Sequence, residues 1–161
     1  MHLQVAGFLE HSTVNGEGFR SVLFVSGCQH ACLGCHNEAM QNKFYGESLS
    51  IEEIYKRILK NKPIIDGVTF SGGEPFDQAD ALAKLASLLK AEGLNIWCYS
   101  GYTYETLIQN AHYIPLLKLV DVLVDSPFIA ALADSNLKYK GSSNQHIYRL
   151  AQGSIMEELN Y

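Results

Sequence analysis

Apolar positions along this chain fall into short runs, each ending in a polar, glycine-bearing turn. Residues 19–25, 67–70, 94–99 and 120–124 are rich in β-branched and aromatic side chains and are bounded by Gly, Ser, Pro or Asp, so they read as buried strands. Between them the period changes to that of a helix. Ser50 with Glu53 forms a capping-box pattern ahead of Ile51, Ile54, Tyr55, Ile58 and Leu59, and the pattern stops at Asn61-Lys62-Pro63. A second helix is expected from Asp77, as N-cap, to Gly93, burying Leu82, Leu85, Ala86 and Leu89; a third, shorter one follows Thr103. Strands alternating with helices predict βα units and parallel pairing. A closed eight-stranded barrel needs roughly 250 residues, more than the 161 available. The expected fold is therefore α/β: a partial (open) βα barrel with a mostly parallel sheet of about five or six strands, residues 3–8 and 146–150 supplying the extra ones. One domain over 1–161 is expected, with the tail from Ala151 to Tyr161 a short helix or disordered.

Composition narrows the class without naming a chemistry. Apolar residues make up 47% and charged ones 18%, as in an ordinary globular protein with a sizeable core. The net charge of −5 argues against a nucleic-acid or anionic-lipid surface. Lys and Asp interrupt every apolar run before it reaches membrane-spanning length, and Met-His-Leu-Gln does not begin a signal peptide. Cysteine usage fits a reducing compartment, so the expected localisation is cytoplasmic.

The strand ends carry the unusual residues. They run into Ser26-Gly27-Cys28, Ser71-Gly72-Gly73-Glu74-Pro75, Ser100-Gly101-Tyr102 and Asp125-Ser126-Pro127. In parallel α/β folds these ends share one rim, where sites are built. Glycine, serine and proline punctuate strand ends in any fold, but that does not account for three of the four cysteines falling together as Cys28-Gln-His-Ala-Cys32-Leu-Gly-Cys35. Three thiolates so close can point at one soft inorganic group. The spacing leaves two options: an iron–sulfur cube with one iron lacking a cysteine, or a zinc site completed by His30 or His36. Structural zinc sites more often use two separated ligand pairs, and no second pair lies downstream. Cys98, in a run of Ile, Trp and Tyr, is expected as a small buried hydrophobe.

The cysteine spacing followed by a Gly-Gly-Glu-Pro turn resembles the radical S-adenosylmethionine superfamily. Within it the chain is similar to the family of activating proteins of the anaerobic, class III ribonucleoside-triphosphate reductase. That resemblance rests on Phe24-Val-Ser-Gly-Cys28, Cys32-Leu-Gly-Cys35-His-Asn37, Ser71-Gly-Gly-Glu-Pro75, Tyr99-Ser-Gly-Tyr102, Asp121-Val-Leu-Val-Asp125-Ser-Pro-Phe128 and Gly141-Ser-Ser-Asn-Gln145, and covers nearly the whole chain. Two departures stand out. Gly34 sits where many superfamily members place an aromatic residue, and Lys140 and His146 flank the late segment where arginines are expected.

The resemblance implies that Cys28, Cys32 and Cys35 hold a 4Fe-4S cluster whose remaining iron binds S-adenosylmethionine. It implies reductive cleavage to methionine and a 5′-deoxyadenosyl radical, which generates a glycyl radical on the large catalytic subunit of the reductase. The electron donor implied is a reduced flavodoxin or ferredoxin. Gly72 and Gly73 are expected to let backbone approach the methionine moiety, Glu74 to accept from its amino group, and Gly34 and His36 to lie along the nucleoside. Ser100 and Asp125 are further candidates for polar contacts to this ligand. Three alternatives stay open: activation of another glycyl-radical enzyme, small-molecule radical chemistry such as 7-carboxy-7-deazaguanine synthesis, and a zinc or iron–sulfur interaction module without catalysis.

Overall fold

The four sequence-predicted strands form the middle of a single mixed sheet. The structure is a computed structural model and describes residues 1–28, 30 and 38–161. Among the described residues the strands are β1 (His2–Ser12), β2 (Arg20–Val25), β3 (Glu47–Ser50), β4 (Gly67–Gly72), β5 (Asn95–Tyr99), β6 (Val122–Asp125), β7 (His146–Ala151) and β8 (Ser154–Glu158). Helices are α1 (Ile51–Leu59), α2 (Ala79–Ala91), α3 (Tyr104–Ile108) and α4 (Ile114–Leu117). The sheet runs β3-β1-β2-β4-β5-β6-β7-β8 and is open, with β3 and β8 at its edges.

Parallel pairing is confined to the centre, where β2, β4, β5 and β6 follow one another through helical crossovers. The flanking pairs β1–β2, β1–β3, β6–β7 and β7–β8 are antiparallel. The expectation of a mostly parallel sheet of five or six strands is thus corrected to a mixed sheet of eight. The tail is corrected too: it is neither helix nor disordered but the edge strand β8. Gln152 (φ 53°) and Gly153 (φ 83°) form the two-residue turn before it, with Ala151 opposite Ser154. Two consecutive left-handed residues match the twist of a hairpin. Glutamine is not among the usual residues for the first of them, which is why the turn gives no sequence signal.

Side-chain alternation assigns the two faces. Ile96, Cys98 and Leu123 join the main core with Leu23, Val68 and Phe70, where Ile51, Ile54 and Ile58 of α1 and Leu82, Leu85 and Leu89 of α2 pack. Trp97, Val122 and Val124 point the other way and meet Ile147, Tyr139 and Leu159 in a smaller cluster. The α1 cap is formed as its pattern predicts, Ser50 accepting from the Glu53 N–H at 3.1 Å. The α2 start differs. A 3-10 turn at Pro75–Gln78 precedes the helix, and its cap is Glu74, not Asp77. Proline fixes its own φ and needs no N–H at a first helical position, so the turn is capped three residues before Asp77 while α2 itself begins at Ala79. No helix among the described residues is long and apolar enough to cross a membrane.

Candidate functional site

Parallel pairing of β2, β4, β5 and β6 brings their four carboxyl-terminal turns to one rim, as the strand-end residues predicted. A cleft of about 410 Å³ opens there, lined by Cys28, His30, Gly72, Gly73, Ser100, Gly101 and Ser126 among others. That volume suits a small organic ligand.

The first two turns are locked together through backbone. Gly73 N–H donates to the Val25 carbonyl at 2.7 Å and Glu74 N–H to that of Gly27 at 2.6 Å. A Cβ on Gly73 would collide with the Gly27 carbonyl, and Gly72 holds φ 96° with its missing Cβ directed at the Val25 backbone. Only glycine permits both the conformation and the approach. On the other side, residues 40 and 41 clamp the cysteine turn: Gly27 N–H donates to the Met40 carbonyl at 2.7 Å and Cys28 N–H to that of Gln41 at 3.0 Å. Cys28, half-buried, is thereby fixed at the mouth of β2 and on the cleft wall. Cys32, Cys35, Gly34 and His36 lie outside the described residues.

Glu74 stands behind the cleft wall instead of on it. Its carboxylate is fully buried. Oε1 accepts from Gly101 N–H at 2.8 Å, both oxygens accept from the Ser100 hydroxyl at 3.1 and 3.0 Å, and Oε2 accepts from Phe76 N–H at 3.0 Å. His30 Nε2 lies 2.6 Å from Oε1; a carboxylate only accepts, so this nitrogen carries the proton. The bond to Glu74 raises the His30 pKa against the opposing effect of burial. The His30 ring packs edge-on to Tyr102 at 4.4 Å, and Tyr102 donates its hydroxyl to Asp77 at 2.8 Å. One buried carboxylate therefore ties the Gly-Gly-Glu turn, the Ser100-Gly101 turn and the cysteine segment to each other.

Ser100 reaches the cleft, whereas Asp125 is buried beneath it. Asp125 accepts from Tyr104 N–H at 2.8 Å, the Ser126 hydroxyl at 3.0 Å and His146 N–H at 3.3 Å, and burial raises its pKa. Cys98 is buried, its thiol pushed well up by burial. Sequence reasoning did not place Asn15, Tyr99, Tyr139, Lys140 and Gln145 on the cleft. Tyr99 closes β5 at the rim, which its strand position signals; the other four arrive from loops whose folding no local pattern reports.

A cysteine sulfur from Cys28, glycine backbone at close quarters and an adjoining ligand-sized cleft fit the edge of a soft metal cluster with a small polar ligand beside it. The family model described as a 4Fe-4S single cluster domain matches residues 14–148. The anaerobic ribonucleoside-triphosphate reductase-activating protein of Vibrio cholerae is 38% identical over 84% of this chain and 91% of its own length. The protein of that name from Escherichia coli K12 is 35% identical over 85% and 92%. The one from Enterobacteria phage T4 is 34% identical over 87% and 90%. The chain belongs to this family of activating proteins. As a family member it is an oxidoreductase of the radical S-adenosylmethionine kind, with a 4Fe-4S cluster and S-adenosylmethionine as cofactors. A crystal structure of QueE from Escherichia coli superposes with a TM-score of 0.52 at 17% identity, over 64% of this chain and 54% of that one. The chain spans about half of QueE, and the likeness shows a shared fold.

Proposed function

We propose that this chain, as a single domain over 1–161 and a partial βα barrel, is the activase of an anaerobic ribonucleoside-triphosphate reductase. When bound, the cluster and S-adenosylmethionine would supply a one-electron reductive cleavage to methionine and a 5′-deoxyadenosyl radical, which would take a Cα hydrogen atom from a glycine of the large reductase subunit, giving 5′-deoxyadenosine and a glycyl radical. The observation that carries the reading is a family match along most of the chain, together with Cys28 at a ligand-sized cleft on the rim of the parallel strands.

Roles for this chain's residues follow. Cys28, with Cys32 and Cys35 of the same motif, ligates the cluster. Gly72 and Gly73 present backbone to the methionine end, as their cleft position and lack of Cβ allow. Gly34 and His36 lie along the nucleoside by motif position. Glu74 accepts from Ser100, Gly101 and His30, so it acts by fixing the Ser100-Gly101 turn and His30; a bond from a ligand amino group would share its oxygens with these donors. The open rim admits a protein segment as substrate. A reduced flavodoxin or ferredoxin supplies the electron, in the cytoplasm.

The test is anaerobic turnover with reconstituted protein, a strong reductant, S-adenosylmethionine and the reductase. It is scored for 5′-deoxyadenosine and for a glycyl-radical signal by electron paramagnetic resonance. Both are expected, and both vanish in Cys28→Ala. Protein that loads one zinc and no iron sinks the reading, as does fully loaded protein that forms neither product with the reductase present.

A further inference from the structure

The segment after β6 leaves the sheet, so its backbone groups need partners elsewhere. Those partners come from the Gly141-Ser-Ser-Asn-Gln145 loop. Gln145 Nε2 donates to the Ser126 carbonyl at 3.0 Å, and Asn144 Nδ2 to that of Pro127 at 2.9 Å. Ile129 N–H donates to the buried Ser142 hydroxyl oxygen at 3.2 Å, and Ser143 N–H to the Leu132 carbonyl at 2.9 Å. Gln145 also holds its own loop: its Oε1 accepts from Gly141 N–H at 2.8 Å and Ser142 N–H at 3.2 Å, and its carbonyl accepts from Lys140 Nζ at 3.1 Å.

Ser126 shows what the clasp maintains. It holds φ 82°, a left-handed conformation rare outside glycine, and it precedes Pro127, which favours an extended residue with negative φ. Such a residue persists only where its surroundings over-determine it. Three bonds do so here: its N–H to the Tyr102 carbonyl at 3.0 Å, its hydroxyl to Asp125 at 3.0 Å, and the Gln145 amide on its carbonyl. Ser126, Gly141 and Gln145 all line the cleft shared with Cys28 and Gly72.

We propose that Gln145 is a positioning residue for ligand binding: its amide pins Ser126 in the left-handed conformation and so sets the cleft wall against which S-adenosylmethionine packs. The inference rests on the reading of the cleft given above. It assigns the Gly-Ser-Ser-Asn-Gln segment a mechanical role, with Gln145 acting through Ser126.

Equilibrium binding of S-adenosylmethionine to cluster-loaded, full-length protein tests it. Gln145→Ala removes both halves of the clasp. Gln145→Glu keeps an acceptor for Gly141 and Ser142 but sets a carboxylate against the Ser126 carbonyl. Loss of the bond to the Ser126 carbonyl, common to both variants, predicts a Kd raised about tenfold in either. Iron per chain stays near wild type, and amide exchange quickens over residues 126–132. Adding Ser126→Gly to Gln145→Ala restores most of the affinity, because glycine adopts a left-handed φ without help. Both single variants binding as tightly as wild type overturn the inference, and so does a loss that Ser126→Gly leaves uncorrected. A wild-type holoprotein that binds no S-adenosylmethionine overturns the functional reading instead, and this inference with it.

Discussion

Two buried charged side chains show how much a single residue commits this fold to. Glu74 gathers donors from three separate segments, and removing its carboxylate leaves the Gly101 and Phe76 N–H groups and the Ser100 hydroxyl without that partner. Glu74→Ala is expected to cost about 3 kcal/mol in urea unfolding. Glu74→Gln, which keeps one acceptor oxygen, costs less than half as much; equal losses in the two variants contradict this account. Arg20, 1% exposed, lies at the opposite end of the sheet. Its guanidinium donates to Thr69 Oγ1 at 2.8 Å, the Glu17 carbonyl at 3.0 Å, the Val68 carbonyl at 2.9 Å and Asn95 Oδ1 at 2.6 Å, and burial lowers its pKa to about 10. A lysine has three donors on a flexible stem and cannot match that fork. Arg20→Lys should therefore lower stability by about 2–3 kcal/mol despite keeping the charge, read from the urea midpoint at constant slope. Neither role is visible in sequence, where Arg20 is one polar side chain at the start of a strand and Glu74 one in the turn after another.

At the scale of elements, glycines separate local from tertiary demands. Gly93 ends α2 at φ 82°, and a Cβ there would meet nothing within 4 Å. Gly93→Ala should cost only the left-handed backbone, about 1 kcal/mol, and leave cluster loading intact. Gly73 lacks a positive φ, yet its Cβ would strike the Gly27 carbonyl next to Cys28. Gly73→Ala is expected to displace that turn, giving fewer irons per chain on reconstitution; loading equal to that of Gly93→Ala would refute the coupling. Caps behave locally. Ser50→Ala should remove about 1 kcal/mol by urea unfolding, since its hydroxyl serves one Glu53 N–H. The α1 cap, the Gly93 terminus and the Thr103 cap were legible because each depends on residues within one turn. The α2 start was misplaced because a separate 3-10 turn begins at Pro75 under a Glu74 cap and gives way to the helix only after Gln78; Glu74 also answers to distant segments.

Across the whole molecule, burial of tyrosines sets a limit at high pH. Tyr99 and Tyr102 are pushed up from the ordinary 10.0 by burial, and Tyr148 is raised to about 12 by the same cause. Phenols raised in the folded state but ordinary in the unfolded one contribute stability that is complete below 10.0 and is lost as pH climbs through about 12. The urea midpoint should fall across that window, with tyrosinate absorbance from these residues appearing together with unfolding. All nine tyrosines titrating near 10 in the folded protein would contradict this.

Sequence by itself determined what is written in neighbouring residues: the central strands, the α1 and α3 starts, the glycine turns at strand ends and the cysteine spacing. Strand and cap preferences act over a few residues, so a linear pattern carries them. Sequence also implied that the strand-end turns share a rim, because parallel strands joined by helices align their ends. Tertiary structure alone decided the antiparallel flanks, since pairing partners are chosen by packing and by a Gln-Gly turn without a strong local signature. It alone placed Glu74 inside the wall and brought Gln145 to Ser126, 19 positions apart. Such contacts are fixed by which buried polar groups still need partners once the sheet has formed, and that demand exists only in the folded chain.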